Sequence, residues 1–114
     1  MKNKFIIRLL DSIESEKTNH NSGTKKVLIK ENESASNLTQ AAVSKLKKGA
    51  IVEAHTHNTM EELFYVLDGD VSVTIKQNKF NCKKNTIIKI PPKTSHSMEA
   101  LSDVTFFYWG IATS

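Results

Sequence analysis

The chain has one cysteine, Cys82, in 114 residues. No internal disulfide can form, so the fold is held by its core, and the composition suits a reducing compartment. There are only two prolines, adjacent at Pro91-Pro92, and four glycines. Collagen-like repeats and Pro/Gly-rich linkers are thereby excluded. No apolar run approaches the ~20 residues of a membrane span. The apolar stretch near the start, Phe5 to Leu10, is six residues long and interrupted by Arg8. A secretory h-region needs about 7–15 apolar residues. The expectation is a cytoplasmic protein with no membrane partner.

Arginine is also nearly absent: Arg8 is the only one beside fifteen lysines. Base and phosphate recognition favours the bidentate arginine fork. The lysines are scattered among acidic residues, and no helix-turn-helix pattern precedes the strand-rich part. A nucleic-acid partner is not expected. The formal net charge of +4 reads as a solvated lysine-rich surface, compatible with anionic substrates.

The remaining composition, 39% hydrophobic and 25% charged, is that of a globular protein, and the length suits a single domain. The polar residues from Ser15 to Thr24 form a loop, and His20 within it is given no role. This divides the chain into an N-terminal segment, 1–24, and a strand-rich body, 25–114. Phe5 to Leu10 is a short strand or a turn of helix. Val27-Leu28-Ile29 centres a strand. Leu38 to Leu46 contains good helix formers, yet it also alternates, with Leu38, Gln40, Ala42, Ser44 and Leu46 on one face. The residues alone leave helix and strand open. Leu63 to Leu67 is an apolar strand, and Asp68-Gly69 before Val71, Val73 and Ile75 predicts a β-hairpin. Phe80 to Lys83 is a short strand or loop. Thr86 to Ile90 is a strand stopped by the double proline. Val104 to Ile111 is bulky on both faces, which predicts burial on both sides, as in a dimer contact. Many short strands and no convincing long helix point to a β-sandwich or barrel.

The chemistry concentrates between Gly49 and Gly69. His55 and His57 are two apart, so on a strand both imidazoles leave the same face. Glu62 follows in the next strand. Two imidazoles and a carboxylate are a ligand set for a divalent metal, and His96, behind the Pro91-Pro92 turn, offers a fourth ligand if the fold returns it. Ile51 and Glu53 share the histidine parity. That makes Glu53 a candidate acid/base at the site. Phe64 and Val66 share Glu62's parity and should line the interior. Phe64, Phe106 and Tyr108 are candidate substrate-pocket residues.

These residues resemble the small single-domain cupins. Gly49, His55, His57, Glu62 and Gly69 fit the first cupin motif at every position, over 49–69. Pro91 and His96 fit the second, over 85–100, where Asn85 and Lys93 stand in for two glycines and Ala100 for an asparagine. Together the motifs span about half the chain. The resemblance implies an all-β double-stranded β-helix, the jelly-roll barrel, with Leu38 to Leu46 as a strand, and we assign that segment so. It implies His55, His57, Glu62 and His96 as ligands to iron, manganese, nickel or zinc. It also implies a small-molecule substrate and a homodimer. The expected function is an enzyme of isomerase or epimerase type acting on a small polar metabolite such as a sugar. The alternatives are an Fe(II) dioxygenase and a non-catalytic sugar or small-molecule binding module.

Overall fold

Alternation decides which side of each strand faces in. In the computed structural model, which describes residues 3–18 and 22–113, ten strands follow one another. They are β1 (Glu16–Lys17), β2 (Thr24–Lys30), β3 (Leu38–Leu46), β4 (Ile51–His55), β5 (Met60–Asp68), β6 (Val71–Ile75), β7 (Asn78–Cys82), β8 (Ile87–Ile90), β9 (His96–Ala100) and β10 (Val104–Ala112). His20 lies outside the described residues. The strands form two antiparallel sheets, one ordered β1-β2-β3-β10-β5-β8 and the other β4-β9-β6-β7. One core joins them: Leu46, Phe64, Val66, Ile88, Ile90, Val104 and Phe106 come from the first sheet, and Val52, Val71, Val73, Cys82, Met98 and Ala100 from the second. This is the expected jelly roll. Leu38–Leu46 is indeed a strand, and its face of alternating residues packs inward, with Ala42 fully buried.

Three local expectations are corrected. β5 and β6 do not form a hairpin. β5 pairs with β10 and β8, whereas β6 pairs with β7 and β9, so the Asp68-Gly69 turn carries the chain from one sheet to the other. The parity of β4 is broken by an irregularity between Val52 and His55. Val52 is buried before it, while Ile51 is 51% exposed; His55 then turns inward with what should have been the outer register. Phe5–Leu9 is neither strand nor helix; a 3-10 turn follows at Leu10–Ser12. Within one chain, β10 is fully buried on its inner face alone. Phe106 is in the core, whereas Phe107 and Trp109 are half-buried on the outer face, their rings 5.0 Å apart.

The N-terminal segment is tied down by Arg8, whose guanidinium donates to Leu28 O and, in a fork, to both Glu33 carboxylate oxygens. The Arg8 hydrogen bonds hold the Glu33 carboxyl down at about 2. No helix among the described residues is long and apolar enough to cross a membrane.

Candidate metal centre

Three short-range devices aim the ligands. β4 pairs with β9 so that His55 lies opposite His96. Their rings stand 4.3 Å apart, and the His57 ring lies 4.9 Å from that of His55. Glu62 arrives from the facing sheet, on β5, between Gly110 and Ile90. It therefore reaches the histidines across the interior, not by pairing back beside them. The third device is the turn after β8. Lys93 N donates to His57 O at 2.6 Å, so the Pro91-Pro92 turn is bolted to the histidine loop.

The turn also explains how the second motif survives without its glycines. Asn85 and Lys93 hold φ of 71° and 62°, the left-handed region glycine would supply. The backbone path is kept and its strain is borne by side-chain residues. Ala100, in place of the asparagine, is buried and bonds Ala50 O through its amide.

One potential ligand atom each from His55, His57, Glu62 and His96 lies within 4.8 Å of the others. Glu62 Oε1 is 3.1 Å from both His57 Nε2 and His96 Nε2. Neighbouring ligands around a cation with bonds of ~2.1 Å stand about 3 Å apart. His55 Nδ1 lies 2.8 Å from Glu53 O, and His96 Nδ1 lies 2.9 Å from Thr94 O. A carbonyl only accepts, so Nδ1 carries the proton in both rings and Nε2 is left to a metal. His57 Nε2 is buried, with the Glu62 carboxylate 3.1 Å away. A ring nitrogen and a carboxylate oxygen this close are matched by a shared proton or by a cation held between them. The donor set and its spacing fit a divalent metal.

The electrostatics agree with a site built to hold positive charge. Burial pushes the Glu62 carboxyl up. The His96 hydrogen bond and the nearby His57, His96 and His55 rings outweigh it, and the net shift is downward. His96 is opposed by burial but raised overall by Glu62 and the Thr94 carbonyl. Burial dominates at His57 and lowers it, keeping the ring neutral and able to ligate.

The four ligands end a cavity of about 170 Å³ between the sheets. Phe64, Phe106 and Tyr108 line it; Phe64 is edge-on to Phe106 and stacked on Tyr108, the Phe106 and Tyr108 rings are tilted, and centroids lie 5.6 to 6.0 Å apart. Burial and the Glu62 and Glu16 charges push the Tyr108 hydroxyl up to about 12. Glu53 does not line this cavity. Its side chain is exposed and it belongs to an outer groove with Ser72, Thr74 and Lys79. The irregularity in β4 parts it from the histidine face; only its carbonyl serves the site, by orienting His55. Sequence reading missed Lys25, Gln40, Ser44 and Met60, which also line the cavity. Gln40 and Ser44 were legible as the inward face of β3. Nothing in the sequence said that this face closes over the metal ligands.

Solved structures share this architecture. A predicted oxalate decarboxylase from Thermotoga maritima aligns over 94% of this chain and 99% of its own, with TM-score 0.86 and 21% identity. KdgF from Halomonas sp. aligns over 97% and 96%, with TM-score 0.81 and 16% identity. Ectoine synthase from P. lautus aligns over 96% and 80%, with TM-score 0.82 and 11% identity. At these identities the likeness is one of fold. An uncharacterized protein of Methanocaldococcus jannaschii is 44% identical over 50 residues, 44% of this chain and 40% of that relative. The match therefore spans less than half the length of either protein. The model of the cupin domain family matches residues 42–109; with the two-sheet barrel, that match places the chain in the cupin family.

Proposed function

We propose that the protein is a metal-dependent enzyme acting on a small polar metabolite, with isomerase- or epimerase-type chemistry at a carbonyl or hydroxyl. The observation that carries this reading is the convergence of His55, His57, Glu62 and His96 at the end of a lined cavity. These four residues would hold the ion, and three imidazoles with one carboxylate leave coordination positions open in a six-ligand shell. When bound, a divalent cation supplies Lewis acidity to a substrate oxygen.

The chain's own residues supply the rest. Phe64 and Phe106 wall the cavity and keep water from the reacting atoms. Tyr108 keeps its proton at neutral pH and offers it to a substrate oxygen as a hydrogen bond. With Glu53 outside the cavity, Tyr108 takes over the proton-handling role that the sequence assigned to it. The enzymatic names of two neighbours in fold, ectoine synthase and the predicted oxalate decarboxylase, support catalysis over mere binding.

The test is elemental analysis with turnover. Purified protein should carry near-stoichiometric transition metal, and His57→Ala should lose most of it. Metal-free wild-type protein that refuses to load would overturn the reading. Oxygen uptake with Fe(II) and substrate would replace the isomerase by a dioxygenase. Tight binding without turnover would leave a binding module.

The same reading takes the protein as a homodimer. Phe5, Ile7 and Leu9 support this: they alternate along one edge of the N-terminal segment at 89%, 88% and 69% exposure. Sedimentation should give twice the 12.8 kDa chain mass, and a monomer at micromolar concentration would exclude the dimer.

A further inference from the structure

Lys25 is a cation in an unusual place. It stands on β2 opposite Ser44, is only 9% exposed, and lines the same cavity as the metal ligands. Its ammonium has one hydrogen-bond partner among the described residues, the neutral Gln40 Oε1 at 3.3 Å. Glu16 faces it across the β1–β2 pair, yet no carboxylate among the described residues comes within ion-pair distance of it. Buried ammonium groups are costly unless an opposite charge accompanies them.

The charge count of the cavity points the same way. Glu62 is the only acidic residue among those that line it. Against a bound dication and the Lys25 ammonium stand Glu62 and, opposite Lys25 on β1, Glu16, whose charge also reaches Tyr108; one positive charge remains in surplus. In a cavity between two sheets, that surplus favours an anion as the missing occupant.

Building on the metal-site reading above, we propose that the substrate carries a carboxylate and that Lys25 and Gln40 bind it. Lys25 Nζ donates to one carboxylate oxygen. The Gln40 carboxamide gives its oxygen to Lys25 and keeps its NH2 for the other. Two donors side by side match a planar carboxylate; a phosphate, with its tetrahedral oxygens, would leave more acceptors unmet. The carboxylate then shares one cavity with the ligand cluster, and the carbon chain next to it is open to the metal centre. The substrate class is a small oxo or hydroxy acid, in keeping with a cavity of about 170 Å³.

The test is calorimetric titration of metal-loaded protein with pyruvate, with pyruvamide as its neutral counterpart, and with inorganic phosphate. Metal content is read on every sample. Wild-type protein should bind pyruvate at least ten-fold more tightly than pyruvamide, as a charge-assisted hydrogen bond implies. Lys25→Met keeps the length and apolar stem of the side chain, and should erase that preference while metal stoichiometry stays at the wild-type value. Gln40→Glu, which neutralises Lys25 within the protein, should erase it as well. A preference that survives in both variants would assign the carboxylate to the metal alone and overturn the proposal. So would phosphate binding as tightly as pyruvate, or a fully metal-loaded wild type with no preference. Wild-type protein that fails to hold metal would instead count against the metal centre, so the two failures are distinct.

Discussion

Lys93 shows how a single backbone angle serves the site. Its φ of 62° lets its amide reach His57 O at 2.6 Å. A side chain at such an angle costs about 1–2 kcal/mol. Replacing it with glycine removes that strain, while the freer unfolded chain takes back roughly 0.4–1 kcal/mol. Lys93→Gly should therefore stabilise the protein by about 0.5 kcal/mol, seen as a higher denaturation midpoint with unchanged metal content. A lower midpoint would mean that the lysine side chain contributes more than its backbone costs. The cluster of candidate metal ligands was legible residue by residue, because His55, His57, Glu62 and His96 stand at the spacing of the cupin motifs. Lys25 was not legible: one lysine among fifteen has no mark that distinguishes a buried ammonium from a solvated one.

Among the elements, the Asp68-Gly69 turn is tightly constrained. Gly69 has φ of 86°, and a Cβ there would lie 2.1 Å from Asp103 O. That neighbour is backbone and cannot swing away. Gly69→Ala should cost about 2–4 kcal/mol from strain and displacement together, measurable as a lower urea midpoint. A loss below about 0.5 kcal/mol would show that the turn can relax. The same turn shows where sequence reading stops. Asp-Gly between apolar strands is a strong hairpin signal, yet β5 and β6 belong to different sheets. Local chemistry specified a reversal of the chain; partner choice came from distant strands, β10 for β5 and β9 for β6. The irregularity in β4 is the matching case for parity. Neither Glu53 nor Ala54 announces an irregularity, so Glu53 read as a neighbour of the histidines and turned out to face the other way. The strand assignment of Leu38–Leu46 came from the family resemblance, since its residues suit helix and strand alike; pairing with β2 and β10 on either side overrides the helix propensity.

For the whole molecule, what matters is that the ligands do not come from one layer. His55 and His96 sit on β4 and β9, with His57 just beyond β4, and Glu62 sits on β5 of the opposite sheet. A metal at this site would bind the native arrangement and not the unfolded chain. At one hundred times its dissociation constant it adds about 2.7 kcal/mol. For a chain of this size that corresponds to a rise in Tm of roughly 10 °C. Calorimetry of chelator-treated against reloaded protein should show it, and Glu62→Gln should reduce the rise more than any substitution outside the ligand set. Equal melting points with and without metal would contradict the placement. A cation held here is a rivet through two plates. It lets the barrel's halves hinge no further apart than a coordination bond allows, so a lost ion would loosen the joint between the layers before it loosened either layer.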